Sequence, residues 1–266
     1  HILSPAKTVR PLPESTDRQA VEKIAASAKS YVANTLSLVI IDNGQVLFEG
    51  YANGATKETP LRSYSMTKSM TALAVGEALC AGKIKSLDDT AVTYVPELAG
   101  TAHGAATIRN LLKYTSGAED PGGDGFTGTH SQEDFRAVLF RKMSLMEMLK
   151  KHSGKSRFEQ GQKFIYNGLD SQALAFVVRG ATGLPVQRWF EETVWQKAGG
   201  EFKAGWFADR DGNGVAEILF LATARDFARI GLYVQERLMG KVDDPCVSAF
   251  LRDAAQPLTA KGYWPA

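Results

Sequence analysis

Ser63-Tyr-Ser-Met-Thr-Lys-Ser69 opens a run in which, from Met66 to Gly82, only Lys68 and Glu77 carry charge. Met70, Leu73, Val75 and Leu79 are spread around the helical wheel instead of gathered in one stripe, so the run predicts a helix covered on most sides and central to the fold. Gly82 supplies its stop. At the other end Ser65 stands at the positive helix terminus, and Lys68, one turn on, shares its face and is carried toward a poorly hydrated interior. A hydroxyl and an amine at that spacing are the parts of a nucleophile and its activating base. For Lys68 to act as that base its pKa must fall from about 10.4 toward neutrality, which burial can drive. The competing reading is a lysine that snorkels to solvent from an ordinary helix. Spacing alone is weak, since a chain of 266 residues holds about one S-x-x-K match by chance. The second match, Ser4 and Lys7, lies at a frayed terminus beside Pro5 and receives no role.

Outward from this helix the periodicities alternate. Asp17 to Ala33 carries Val21, Ile24, Ala25, Ala28 and Val32 at helical spacing, and predicts an amphipathic opening helix. Leu36 to Ile41 and Gln45 to Tyr51 flank Asp42-Asn43-Gly44, the turn chemistry of a β-hairpin. Downstream, Ser86 with Asp89 has the spacing of a capping box opening a segment that ends near Pro96. Further helices are predicted over Ile108 to Lys113, Gln132 to Phe140, Leu145 to Lys151, Leu169 to Ala181, Val186 to Gln196 and Ala224 to Arg237, and a short strand over Val215 to Phe220. The glycine-rich stretch Asp120 to His130 reads as a loop, either plain surface or a cover over a pocket. There is no internal repeat or low-complexity tract.

Composition narrows the chemistry. Hydrophobic residues make up 44% of the chain, enough for a large core, and Lys plus Arg at 31 against 29 acidic residues give a net charge of +2. That balance offers no electrostatic case for nucleic acid or an anionic membrane as partner, and no run approaches the ~18 apolar residues of a membrane span. A small-molecule substrate is the default. Cys80 and Cys246 are too few and too distant for a disulfide framework or zinc site; we read them as two buried thiols, with a single bridge as the open alternative. The histidines His1, His103, His130 and His152 lack ligand spacing, and neither G-x-S-x-G nor H-E-x-x-H occurs, so a Ser-His-Asp triad and a zinc hydrolase are rejected. Asp209-Arg-Asp-Gly-Asn-Gly214 imitates the start of a calcium loop, yet Phe220 stands where its bidentate Glu belongs, so a turn is expected. No metal or organic cofactor is expected, and the compartment stays open.

With Gly82-Lys-Ile-Lys-Ser-Leu-Asp-Asp89, Tyr94-Val-Pro-Glu-Leu98, Leu111-Leu-Lys-Tyr-Thr-Ser-Gly117, Gly161-Gln-Lys-Phe-Ile-Tyr-Asn167, Ala181-Thr-Gly183 and Ala222-Thr-Ala-Arg-Asp-Phe-Ala-Arg-Ile-Gly231, the Ser63 to Ser69 stretch resembles the serine β-lactamase and penicillin-binding-protein superfamily. The resemblance covers roughly residues 35 to 240, and is greatest to the branch of class C-like esterases and 6-aminohexanoate-dimer (nylon oligomer) hydrolases. It implies an α+β fold: an antiparallel sheet flanked by helices, contributed by 1–82 and 200–266, with a mostly helical insertion over 83–199 and the site in the cleft between. It also implies that Tyr166 supplies a phenol beside Ser65 and Lys68. The family's Tyr-x-Asn is not matched, because Gly168 occupies the third position; the amide is missing or has moved to Asn167, and Asn167 and Gly168 are the candidate substrate contacts.

The expected reaction is acyl transfer from a short ester or linear amide to Ser65, with Lys68 or Tyr166 taking the proton. The alternatives are a silent or slowly deacylating ligand sensor, and a β-lactamase or D-Ala-D-Ala peptidase. The family's third motif, a Lys-Thr-Gly, His-x-Gly or Gly-rich strand after Tyr166, has no match between Asn167 and Ala266; Lys261-Gly262 lacks a strand around it. A sheet of the hairpin plus one short strand would leave a long edge unpaired. The expectation is therefore a further chain or segment that completes the sheet.

Overall fold

The computed structural model of the protein describes residues 1–118 and 132–257. The predicted loop of 120–130 and the 261–266 ending lie outside the described residues. The class is α+β. In chain order the strands are β1 (Ile2–Leu3), β2 (Ser37–Asp42), β3 (Gln45–Tyr51), β4 (Leu61–Arg62), β5 (Ala204–Trp206) and β6 (Phe220–Ala222). The helices are α1 (Arg18–Val32), α2 (Met66–Cys80), α3 (Ala102–Ala105), α4 (Ile108–Leu112), α5 (Gln132–Leu139), α6 (Leu145–His152), α7 (Gly168–Thr182), α8 (Val186–Phe190), α9 (Gln196–Ala198), α10 (Ala224–Leu238) and α11 (Pro245–Ala254).

Local chemistry places the predicted elements. Asp17 caps α1 by accepting the Ala20 N–H at 3.0 Å. Asn43 and Gly44 both take positive φ, 47° and 79°, the two-residue turn whose twist suits a hairpin. The α2 helix is buried on most sides, with Met70, Leu73, Ala74, Val75 and Ala78 in the core beside Leu169, Ala173 and Phe176 of α7.

Several expectations are corrected. The hairpin does not share a sheet with the later strands: β2 and β3 pair alone, while β1, β5, β6 and β4 form a separate antiparallel sheet in that order. Two-residue strands carry no period, so β1 and β4 leave no trace in the sequence pattern. Residues 1–4 are anchored, not frayed. β1 pairs with β5, and Ser4 N–H donates to Glu191 Oε1 at 2.9 Å. That anchoring falls where the predicted Val186 to Gln196 helix widens into a single π turn, Glu191–Trp195, between α8 and α9. Ser86 and Asp89 close a turn, with no α-helix following.

The cysteines are not thiols: Cys80 and Cys246 form a disulfide, their Cα atoms 5.7 Å apart. It ties α11, which the sequence reading missed, to the end of α2. The packing beside it depends on Gly76, where an added Cβ would lie 2.6 Å from the Phe250 ring.

The predicted strand over Val215 to Phe220 is also corrected, since only Phe220 belongs to β6. The run is largely buried, and beyond two backbone bonds to Phe207, from Val215 N–H and to the Leu219 carbonyl, side chains take the place of a ladder. Gln172 accepts from Ala216 N–H at 3.1 Å, Thr71 donates to the Ala216 carbonyl at 2.9 Å, and Trp206 donates to the Val215 carbonyl at 2.8 Å. This segment lies against the first turns of α2, which brings it to Lys68.

Candidate active site

Ser65 is the N-cap residue of α2, yet its hydroxyl makes no capping hydrogen bond. A capping serine typically contributes ~1 kcal/mol through that bond, so the helix start is stabilised by other means and the hydroxyl is left free. Thr67 and Ser63 do the work. Thr67 N–H and Oγ1 both donate to the Tyr64 carbonyl, at 3.0 and 2.8 Å, and Ser63 Oγ lies 2.6 Å from Thr67 Oγ1. Phe220 N–H and carbonyl hold Thr67 and Ser63 in turn, so β6 fixes the turn that presents the serine. Tyr64 is held at φ 46°, a left-handed conformation that costs a residue with a side chain about 1–2 kcal/mol.

The free hydroxyl faces Lys68, whose Nζ lies 3.3 Å from Ser65 Oγ. The lysine side chain is 11% exposed and does not snorkel. It donates to the Glu217 carbonyl at 3.0 Å, stands 3.9 Å from the Glu217 carboxylate, and lies 4.9 Å from the centroid of the Tyr166 ring. Three segments distant in sequence thus converge on the Lys68 amine, which brings Ser65, Lys68 and Tyr166 together. The other two candidates sit differently. Asn167 is buried and caps α7, its Oδ1 accepting from Leu169 N–H at 3.0 Å, while buried Gly168 is the first residue of that helix.

Behind Tyr166 lies a layer that sequence reading missed. Tyr114 packs on the Tyr166 ring at 5.3 Å between centroids, and its hydroxyl lies 2.7 Å from Ser171 Oγ. Burial pushes the Tyr114 phenol far above its ordinary range; the Ser171 hydrogen bond opposes this, and the nearby Tyr166, Asp170 and Glu217 add to it. Tyr114 therefore backs the Tyr166 ring as a neutral phenol. One residue before Ser171, buried Asp170 accepts from Ser116 Oγ at 2.7 Å and lies 3.3 Å from His103 Nε2, a contact without hydrogen-bond geometry. His103 Nδ1 lies 2.6 Å from Ser153 Oγ. These residues form no period, and of them Tyr114 and Ser116 fall within the Leu111 to Gly117 stretch that carries the resemblance.

The calcium-like loop is a turn, because Asp209 spends its carboxylate on the N–H groups of Asp211, Asn213 and Leu145. Among the described residues no cluster could hold a metal ion, and no helix is long and apolar enough to cross a membrane.

An uncapped serine at a helix start, a buried lysine one turn on and a tyrosine from a third segment make up the site. The family model for Beta-lactamase matches residues 18–245. The chain belongs to the β-lactamase family. Within the wider β-lactamase and penicillin-binding-protein-like serine hydrolase superfamily, it is 24% identical over 208 residues to the 6-aminohexanoate-dimer hydrolase of Paenarthrobacter ureafaciens, covering 74% of this chain and 51% of that protein. A Bacillus anthracis structure named provisionally as a 6-aminohexanoate-dimer hydrolase superposes with a TM-score of 0.73 at 23% identity, over 95% of this chain and 70% of that one. EstCE1, described as a hydrolase with promiscuous acyltransferase activity, superposes at 0.65 and 18% identity, over 87% and 75%. The chain spans about half the length of the curated relatives it matches.

The layer behind Tyr166 carries a pH dependence of its own. Burial raises the Asp170 carboxyl above its ordinary range, and the opposing pull of His103 and Ser116 is smaller. A carboxyl raised in the folded state contributes stability that is complete below its unfolded pKa of about 3.9 and is lost as pH climbs through the folded value. Asp170→Asn, neutral at every pH, removes that loss. Its melting temperature is expected to decline less than the parent's as pH is raised from 4 to 8, by an amount corresponding to about 1–3 kcal/mol. Parallel curves for parent and variant would show that Asp170 does not titrate between the two states.

Proposed function

We propose that this protein is a serine hydrolase that acts through an acyl-enzyme at Ser65 on a short ester or linear amide. The observation that carries this reading is the 3.3 Å approach of Lys68 Nζ to a Ser65 hydroxyl free of capping duty. In the proposed cycle Ser65 Oγ attacks the carbonyl carbon, and its proton passes to the Lys68 and Tyr166 pair. The leaving alcohol or amine takes that proton from the pair; water then gives a proton to the same pair as it attacks the ester on Ser65, and the departing Ser65 Oγ takes that proton back. The N–H of Ser65, at the positive end of α2, has no acceptor among the described residues, and is the natural donor to the developing oxyanion.

Asn167 and Gly168 serve this site by starting α7 directly after Tyr166. An asparagine spent as a helix cap is poorly placed to supply the amide that β-lactam-hydrolysing relatives carry in their Tyr-x-Asn motif, which supports the preference for esters and linear amides. The relatives point the same way, through 6-aminohexanoate dimer in the names of two and acyl transfer in that of a third. The outer edge of β2 has no strand partner among the described residues. A second oxyanion donor beside Ser65, supplied by a further segment or chain, is the remaining part that this reading calls for, since losing one of two such donors costs about 10²- to 10³-fold in rate.

Mass spectrometry after mixing with p-nitrophenyl acetate or a fluorophosphonate tests the nucleophile, and the expected result is one adduct on Ser65. A panel of p-nitrophenyl esters, 6-aminohexanoate dimer and nitrocefin then tests the substrate class. Rapid nitrocefin turnover with no esterase activity would overturn the preference. An adduct that never releases product would make the protein a sensor, and no adduct would leave it a binding protein.

A further inference from the structure

Tyr114 meets the segment that carries Tyr166 in three ways. Its carbonyl accepts the Ile165 N–H at 2.8 Å, its ring packs on those of Phe164 and Tyr166 at 6.0 and 5.3 Å between centroids, and its hydroxyl lies 2.7 Å from Oγ of buried Ser171 in the first turn of α7. Its φ of 55° is left-handed, a conformation that a residue with a side chain keeps only where the surroundings over-determine it. The main chain is thus fixed, and the ring is the part left to be held. Beside that ring is open space. Tyr114 and Phe164, with Ala72, Leu87, Leu112 and Phe250, line a largely apolar cavity of about 280 Å³, and Tyr166 is not among its walls. A ring at the wall of such a cavity lacks packing neighbours on that side. Its planes meet those of Tyr166 at 40°, neither a stack nor an edge-on pair. With room on one side and a loose contact on the other, the ring needs a pin, and Ser171 is the one hydrogen-bond partner of its phenol among the described residues.

We propose that Tyr114 is a positioning residue for Tyr166, and that the bond between its hydroxyl and Ser171 keeps its ring against Tyr166 and out of the cavity. The role rests on the acyl-enzyme reading and deepens it. Tyr166 shares the Ser65 proton with Lys68 from the place where Tyr114 holds it, its ring centroid 4.9 Å from the Lys68 amine. Without the pin the Tyr114 ring turns into the cavity, the Tyr166 ring shifts into the space vacated, and its phenol moves off the amine. No proton passes through Tyr114, which acts on the reaction through Tyr166 alone.

Burst kinetics with p-nitrophenyl acetate on the intact protein test it, the burst reporting acylation and the steady phase deacylation. Tyr114→Phe keeps the ring and deletes the pin, and Ser171→Ala deletes it from the other side. Each is expected to slow both phases about tenfold with KM within about twofold, because the proton-sharing pair serves both steps. The double variant is expected to be no slower than either single one, since the two remove the same bond. Ala72→Leu adds bulk to the cavity. Alone it is expected to leave the parent's rates within about twofold, and in Tyr114→Phe to restore them to within about threefold, a rescue that a hydrogen bond serving stability alone would not give. Unchanged rates in folded Tyr114→Phe and Ser171→Ala would overturn the proposal, as would additive losses or an Ala72→Leu that rescues nothing. If Tyr114→Phe does not fold, as judged by melting, Ser171→Ala and its combination with Ala72→Leu decide in its place. Absence of any Ser65 adduct in the parent would instead sink the acyl-enzyme reading, and this role with it.

Discussion

Ser65→Ala is expected to form no adduct with activated esters and to lose at least about 10⁴-fold in kcat/KM on whichever ester the parent turns over, the scale seen when a nucleophile that acts as a unit with its base is removed. The substitution should not cost stability through capping, because the hydroxyl makes no capping bond. Its partner contact is a single 3.3 Å approach to Lys68, and Thr67, Ser63 and β6 hold the helix start without it. An inactive variant that melts with the parent would therefore separate chemistry from folding. Undiminished turnover in that variant would mean that another residue is the nucleophile.

Lys68→Met has a double effect. Activity should fall about 10³-fold or more, because the variant removes the proton carrier nearest Ser65. Stability should fall as well, by about 1–3 kcal/mol, since the Glu217 carboxylate loses its cation in a site that water reaches poorly. The double variant Lys68→Met, Glu217→Gln is expected to recover stability and not activity. Thermal melts and burst kinetics on the four proteins of this cycle supply both quantities. Additive melting shifts would show that the two side chains do not feel each other, and would remove the ion pair from the account.

The parts of this site that the sequence reveals are those built from local pattern. Ser65 and Lys68 sit on one helix whose apolar letters run all round, and the hairpin is marked by Asn43-Gly44 between alternating strands. Tyr166 was reached only through resemblance, because nothing in its own neighbourhood singles out one tyrosine from another. Glu217 escaped for a different reason. The run from Val215 to Phe220 reads as a strand by composition, but its backbone partners are Thr71 and Gln172 from distant parts of the chain and the nearby Trp206 and Phe207. A pattern that would have turned Glu217 in step with a ladder does not exist in the molecule. His103 and Asp170 are likewise joined by a contact that spans α3 and α7 and leaves no spacing to read.

The Cys80 to Cys246 bridge sets where such a molecule can mature. It closes a loop with a sequence separation of 166, and a cross-link of that reach restricts the unfolded chain enough to be worth about 2–5 kcal/mol. Sulfur bridges persist in oxidising surroundings and are reduced in the ordinary cytosol. A copy held in a reducing compartment would keep α11 in place through non-covalent contacts alone, Phe250 on Gly76, Val247 and Leu251 in the core, and Arg109 on Asp253. α2 and the last described helix could then part without breaking a covalent bond, so the oxidised chain is expected to be the sturdier of the two forms.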